Sequence, residues 1–488
     1  MKGEHMLKRS VENLSLLTDF YEFTMSNGYL EHDMADTIAY FDVYFRKNPD
    51  EAAFSIAGGL ETIIDYLENL HFDDQAIDYL RKKELFSEKF LEILKNFQFS
   101  CDVWAVKEGS VIFPNEPIMI VRGPIIQTSL VETMLLLLFN HQSMIATKTN
   151  RIVHAARGRA IMEFGSRRAQ GADAANQGAK AAYMAGAAGS ANTLADINYK
   201  VPAMGTMAHS WVMTFPSEFE AFKAYAETYP TNSILLVDTY DTLRSGVPNA
   251  IKTFKEVLLP MGYRPGGIRL DSGDIAYLSK KARIMLDEAG FPDAKIVASN
   301  SLDERRITDL LEQGAQIDSF GVGENLITSR SHPVFGGVYK LVAIEKNGVL
   351  EEKIKISENV EKITTPGFKN LYRFYDKDTN MALADLVTLH DEVIDDEKEY
   401  EIFHPLFTWK RTMLKNFRVE KLLHRIYDQG KLVYERPSME ERREYCRQQV
   451  DSLWEEYKRF ENPHIYKVDL SKKLWDLKNT LLNNTRSM

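Results

Sequence analysis

Four short stretches of this chain carry residue types suited to anionic, ring-bearing small molecules. The first is Glu163-Phe164-Gly165-Ser166-Arg167-Arg168, directly after an apolar run. Its two arginines offer permanently charged, forked donors for a phosphate or carboxylate, and Phe164 offers a flat face. A surface arginine pair neutralised by nearby acids is the plain structural alternative. In the second stretch, Val201 to Trp211, His209 follows Gly205-Thr206, and a neutral imidazole in such a loop can act as nucleophile or proton carrier. The third comprises Asp238-Thr239-Tyr240-Asp241-Thr242 and Arg269-Leu270-Asp271-Ser272-Gly273-Asp274. Carboxylates there can accept from a ribose diol or hold Mg²⁺, or they can cap helices, a reading that suits Ser272 and Asp274 best. The fourth, Phe320-Gly321-Val322-Gly323-Glu324, offers backbone amides as a phosphate cradle, although a single Gly-x-Gly is weak and the Rossmann and Walker patterns are missing.

These groups need elements that bring them together. From about Ala160, short apolar runs alternate with helical stretches: Ala160 to Phe164, Ile234 to Asp238, Gly267 to Asp271, Lys295 to Ser299 and Ile317 to Gly321. The last four begin 33, 28 and 22 residues apart, which suits βα units in a parallel sheet or barrel. Chemistry in such barrels sits at the carboxyl ends of the strands, where these runs place their polar residues. The Ala- and Gly-rich stretch from Ala169 to Ala195 suits close helix packing.

Flanking the βα core, the pattern is mixed. A dense apolar segment from Leu16 to Leu30 predicts a buried helix with Thr18 as its cap. Ala39 to Phe45, Val103 to Val106 and Pro117 to Arg122 predict strands, and Leu60 to Leu70 a helix. Beyond residue 333, Val338 to Ile344 and Lys353 to Ile356 predict strands, and Leu371 to Leu389 a hairpin turning at Asp-Lys-Asp-Thr-Asn. Met439 to Phe460 is charged and helical in pattern. The expected organisation is a mixed α+β part over 1–150, a barrel core over 151–335, a β-rich segment over 336–410 completing the first part, and a helical segment over 411–488.

Composition narrows the function classes. At 488 residues the chain exceeds the roughly 250–300 at which single cores stop growing. With 60 basic and 70 acidic residues, a net charge of −10, nothing forms an electrostatic footprint for nucleic acid or an anionic membrane. The two cysteines, Cys101 and Cys446, cannot build a disulfide framework or a Cys-rich zinc site, which fits a reducing compartment. Met1 to Arg9 lacks a following apolar h-region, and the most apolar run, Met134 to Phe139, is too short to span a bilayer. A cytoplasmic enzyme acting on a small molecule is expected.

Taken in order, six motifs resemble those of the nicotinate and nicotinamide phosphoribosyltransferase family. They are Thr18-Asp19-Phe20-Tyr21, Glu163 through Gly171, Gly205-Thr206-Met207-Ala208-His209-Ser210, Val237 through Asp241, Arg269 through Asp274 and Gly337-Val338-Tyr339-Lys340-Leu341. The resemblance covers roughly residues 15 to 410 and is closest to the nicotinate-using members. It implies an irregular α/β barrel joined to a mixed domain built from both chain ends, and a head-to-tail homodimer with shared active sites. It implies this reaction: nicotinate, 5-phosphoribosyl 1-diphosphate and ATP giving nicotinate mononucleotide, diphosphate, ADP and phosphate, a ligase-class step towards NAD with Mg²⁺ held near Asp271 through substrate.

The roles implied are specific. Phe164 and Tyr21, the latter from the partner subunit, sandwich the pyridine ring. Arg167, Arg269 and Thr206 bind the nicotinate carboxylate or the neighbouring phosphate. Asp271 and Asp238 hold the ribose hydroxyls or Mg²⁺ and favour positive charge developing at C1. Gly321 and Gly323 cradle the 5-phosphate, and His209 matches the family's phosphorylated histidine, with ATP as donor. Two departures stand out: Glu324 replaces a Thr common among relatives, and Asn192 stands near the position where nicotinamide-using relatives carry Asp, a carboxylate that would repel nicotinate. The competing readings are a nicotinamide phosphoribosyltransferase and a non-catalytic NAD-metabolite sensor. A Schiff-base barrel aldolase would need a strand-end Lys, and the strands end in Phe164, Asp238, Asp271, Ser299 and Gly321.

Overall fold

The computed structural model describes residues 13–485; the charged start, Met1 to Arg9, lies outside them. The chain divides into two compact units, Ile145–Pro333 and the combination of Met1–Met144 with Val334–Met488.

The Ile145–Pro333 unit is built on six parallel strands in the order Gly189–Ser190, Ala160–Glu163, Ser319–Val322, Lys295–Ser299, Gly267–Leu270, Ile234–Leu236. An isolated parallel bridge from Ser190 to Ala203 extends past the first of them. Parallel strands are covered on both faces, so they read as continuous apolar runs rather than alternations. Ile161, Leu235, Leu236, Ile268, Leu270, Ile296, Val297, Ala298, Phe320 and Val322 are accordingly all buried. The covering helices start where short polar side chains cap them: Asp274 accepts from the Tyr277 amide (3.0 Å) for Ile275–Glu288, and Asp303 from the Arg306 amide (2.8 Å) for Glu304–Glu312. The βα rhythm is thus realised as a parallel sheet, and it matches the irregular α/β barrel that the family resemblance implies.

In the other unit, segments from both ends of the chain share one seven-stranded sheet. Ile38–Phe45 pairs antiparallel with Met119–Pro124 on one side and with Gly337–Lys346 on the other. A four-stranded sheet contains the hairpin Lys369–Asp376 and Ala382–Leu389, turning at Asp376 to Asn380. Between the segments sits a fully buried guanidinium, Arg373. It forms two bonds to Asp385 (2.8 and 2.6 Å), one to Gln449 (2.9 Å) and one to the Val111 carbonyl (2.9 Å). A buried charge is tolerable only when paired and bonded in this way.

Several expectations are corrected here. The first helix runs Phe20–Glu31, and Thr18 does not cap it: the Thr18 hydroxyl donates to the Ser15 carbonyl in the preceding turn, and Asp19 occupies the cap position. The strand expected at Lys353 to Ile356 lies instead at Val349–Glu352. Asn347 and Gly348 both adopt positive φ (53° and 75°), a two-residue hairpin turn that pairs Lys346 with Val349 and so moves the strand forward. The 411–488 segment is not helical throughout. Arg411–Leu414, Phe417–Lys421, His424–Asp428 and Val468–Leu470 are strands, the first in a local hairpin with Tyr400–Phe403 and the others paired with distant segments of the chain.

One buried acid in this unit gives a pH-dependent expectation. Glu22, on the Phe20–Glu31 helix, is fully buried, and its neighbour is a second carboxylate, Glu132. Burial first, then Glu132, raises its pKa from 4.5 to about 8. The folded chain thus holds a proton that the unfolded chain releases, and stability falls as pH rises from about 4.5 towards 8. Glu22→Gln is expected to be more stable than the parent above pH 8 by about 1–2 kcal/mol, allowing for the amide's own burial, and to match it in acid. Thermal melts at about pH 5 and about pH 9 check this; an equal shift at both pH values would remove Glu22 as its source.

Candidate active site

The parallel register aligns the strand ends: Val297 pairs with Arg269, Ser299 with Gly321, and Val322 with Glu163. Residues far apart in sequence therefore converge. The half-buried Arg269 guanidinium donates from Nε to Ser299 Oγ (2.9 Å), from Nη1 to Thr206 Oγ1 (3.0 Å), and from Nη2 to Asp271 Oδ1 (3.0 Å). Its Cζ lies 5.9 Å from the centroid of the Phe164 ring. Ser299 Oγ in turn donates its hydrogen bond to Asp271 Oδ1, so one hydroxyl orients both the cation and the carboxylate.

Asp271 has further partners. Its amide donates to Asp238 Oδ2 (2.9 Å), which also accepts from Ser272 Oγ (2.6 Å). Its Oδ2 lies 3.7 Å from His209 Nε2, while His209 Nδ1 is 3.1 Å from Thr239 Oγ1. The imidazole thus has a hydroxyl within hydrogen-bond reach of one nitrogen and a carboxylate near the other. Asp274 and Asp241 are caps, Asp241 accepting from the Leu243 and Arg244 amides (3.2 and 2.9 Å). Ser272 is not a cap, because its hydroxyl is spent on Asp238.

Other expected site residues fall differently. Arg167 is exposed and shows no side-chain partner among the described residues, so its charge is available to a ligand. Arg168 is 3.9 Å from Glu324, and Glu324 also bonds Arg330 at 2.7 Å. Glu324 is thereby engaged within the chain. At Gly321 a Cβ would fall 2.5 Å from the Phe164 ring, a close approach that by itself requires glycine there. At Gly323 a Cβ would meet the Phe164 carbonyl oxygen at 3.5 Å, an ordinary contact, so space alone does not require glycine there. Asn192 caps the Thr193–Tyr199 helix through the Leu194 amide (3.1 Å) and donates to the Ala175 carbonyl (3.4 Å), so its carboxamide is engaged structurally. Tyr21 belongs to the other compact unit, on the Phe20–Glu31 helix, with its ring 46% exposed beside exposed Leu17, Phe20 and Met25.

Among the described residues no three His, Cys, Asp or Glu side chains cluster as a metal cage. Asp238 Oδ1 is nevertheless buried without a partner, and Mg²⁺ is commonly bound through one or two carboxylates plus substrate phosphates. Asp238 and Asp271 fit that mode.

Sequence reasoning missed Ser299, Thr239 and Glu163. Ser299 ends a strand just as Asp271 ends its neighbour, and equal weight for every strand-terminal hydroxyl would have found it. Glu163 was read only as the start of the arginine motif, yet it is fully buried at the sheet end, and burial pushes its carboxyl pKa up.

Solved structures share this architecture. Human nicotinic acid phosphoribosyltransferase superposes with a TM-score of 0.85 at 29% identity, covering 95% of this chain and 99% of that one. A nicotinate-nucleotide pyrophosphorylase from Pyrococcus furiosus gives 0.69 at 22% identity over 93% and 99%, a likeness of fold alone. A parallel barrel with an arginine, two carboxylates and an imidazole at its strand ends therefore falls in the class of phosphoribosyltransferase-type α/β barrels. Family models are more specific. The nicotinate phosphoribosyltransferase N-terminal domain matches residues 16–140, the nicotinate phosphoribosyltransferase family model 159–373 and the C-terminal domain 368–478. The nicotinate phosphoribosyltransferase of Bacillus subtilis (strain 168) is 43% identical over 98% of this chain and 96% of its own, and that of Dictyostelium discoideum 36% over 94% and 87%. The chain belongs to the nicotinate phosphoribosyltransferase family. No helix among the described residues is long and apolar enough to cross a membrane.

Proposed function

We propose that this protein transfers the phosphoribosyl group of 5-phosphoribosyl 1-diphosphate to nicotinate, giving nicotinate mononucleotide and diphosphate in NAD salvage, with ATP hydrolysis coupled through His209. The observation that carries this reading is the Arg269 guanidinium, held by Ser299, Thr206 and Asp271 above the Phe164 ring. A planar aromatic acid needs an aromatic face and a fixed cation side by side, and this pair supplies both.

In the reaction the pyridine nitrogen lone pair forms the bond to ribose C1 as the C1–O bond to diphosphate breaks, diphosphate leaving with that electron pair. Phe164 holds the ring, and Arg269 with Arg167 orients the carboxylate and neighbouring phosphate. Asp271 places negative charge against the cationic character that develops at C1. Bound Mg²⁺ would neutralise the departing diphosphate, with Asp238 and Asp271 as its protein contacts. A His209 nitrogen takes the γ-phosphoryl group of ATP as ADP leaves, and water later returns the imidazole by releasing phosphate. Asp271 and Thr239, on either side of the ring, hold it for that attack.

Tyr21 supplies the second aromatic face from the partner of a homodimer; the exposed Leu17, Phe20, Tyr21 and Met25 surface supports an intersubunit position. Tyr21→Ala is expected to raise the KM for nicotinate by about tenfold and that for the phosphoribosyl donor by less than about twofold, as loss of a stacking face requires. Equal rises would remove stacking as its role. The decisive assay mixes enzyme, nicotinate, 5-phosphoribosyl 1-diphosphate and Mg²⁺ with and without ATP and measures nicotinate mononucleotide. No product in either mixture overturns the reading.

A further inference from the structure

The carboxyl of Glu163 sits at the end of the Ala160–Glu163 strand, fully buried, with no cation paired to it among the described residues. One oxygen accepts from the Gly165 amide, and the other accepts from Ser190 Oγ at 2.5 Å. Ser190 Oγ in turn accepts from the Asn192 amide (3.0 Å), and the Glu163 carbonyl accepts from the Ala191 amide (2.8 Å). A single side chain thereby ties two strand-end loops together. One carries Phe164 and Arg167; the other runs Ser190 to Asn192, on the neighbouring strand.

Space around the tie is tight. A Cβ at Gly165 would lie 2.6 Å from Ile327, and the Phe164 amide is already committed to the Val322 carbonyl at 2.7 Å. The Phe164 ring thus has its backbone fixed on one side by sheet pairing and on the other by the Glu163 carboxyl. None of the bonds that hold Arg269, Asp271, Asp238 or His209 passes through Glu163.

We infer that Glu163, acting through Ser190, is the positioning residue of the pyridine subsite, setting the spacing between the Phe164 face and the Ser190–Asn192 loop. It touches neither substrate nor reacting atoms, and its effect is read in nicotinate binding rather than in phosphoribosyl donor binding. The inference rests on the proposed function, because it assumes that Phe164 carries the pyridine ring.

Three single variants and one double variant separate positioning from a general structural role. Glu163→Ala removes both acceptors, and Ser190→Ala leaves one Glu163 oxygen buried without its donor. Glu163→Gln keeps the span, its amide oxygen accepting from Gly165 and its amide nitrogen donating to Ser190. Alanine at either position is expected to raise the nicotinate KM about tenfold, with the donor KM within about twofold, as loss of a buried hydrogen bond at one subsite requires. Glu163→Gln is expected to restore the nicotinate KM to within about threefold of the parent, and the double alanine variant to cost no more than the worse single one. Equal rises in both KM values, an unchanged nicotinate KM in the alanine variants, or a glutamine variant as impaired as alanine would each overturn the inference. If Glu163→Ala does not fold, Ser190→Ala decides alone, with circular dichroism reporting its fold. Absence of nicotinate turnover in the parent protein would instead overturn the proposed function itself.

Discussion

Asp271→Asn is expected to lower kcat by about 10²–10³-fold while leaving the fold intact, a magnitude typical of losing one preorganised electrostatic group. The side chain keeps its shape, so packing is preserved, but its chemistry changes in three places. Oδ1 receives protons from both Arg269 Nη2 and Ser299 Oγ, and an amide nitrogen turned to that position would face two donors. If the amide oxygen stays there, the nitrogen faces His209, 3.7 Å away, where a carboxylate had stood. In either orientation the negative charge opposite ribose C1 is lost. A larger fall in kcat than in donor affinity is therefore expected, since the charge matters most as C1 becomes cationic. Steady-state kinetics with both substrates varied, alongside a thermal melt, tests this. Activity within about tenfold of the parent would show that Asp271 does not stabilise developing charge.

His209→Ala separates coupling from transfer. The imidazole is 40% exposed at the start of the His209–Thr214 helix. Removing it is expected to leave slow nicotinate mononucleotide formation without ATP, to abolish stimulation by ATP, and to reduce transfer of label from γ-phosphate-labelled ATP to the protein to background. A catalytic base acting directly on the sugar would instead lose the ATP-independent rate. Full ATP-stimulated turnover in the variant would exclude His209 as the phosphoryl carrier.

Particular residues show how far the sequence could be read. The parallel strands were legible because two-sided burial leaves an unmistakable signature, as in Ile296-Val297-Ala298 or Leu235-Leu236-Val237. The hairpin turning at Asp376 to Asn380 was legible because its turn residues have few other uses. Thr18 misled, because a hydroxyl before a helix can serve the preceding turn as readily as the helix. Gly321 shows a different limit: glycine between apolar residues marks a close approach without saying what approaches, and here the Phe164 ring does. The strands Phe417–Lys421 and His424–Asp428 were hidden because each pairs with a distant segment, Lys369–Asp376 and Asp102–Ala105, which local periodicity does not contain.

The chain's own order of residues determined which chemical groups are present and that the core is a run of parallel strands: an arginine and a carboxylate two residues apart at Arg269 and Asp271, an imidazole after Gly205-Thr206, an aromatic ring before two arginines. Those are local facts, set by side-chain type and by the period of burial. Only the tertiary structure decided which groups meet. Arg269 finds Thr206 across 63 residues and Ser299 across 30, and Glu163 finds Ser190 across 27. Such pairs follow from sheet register, which is fixed by the packing of both faces of the sheet at once and is therefore not encoded in any one stretch.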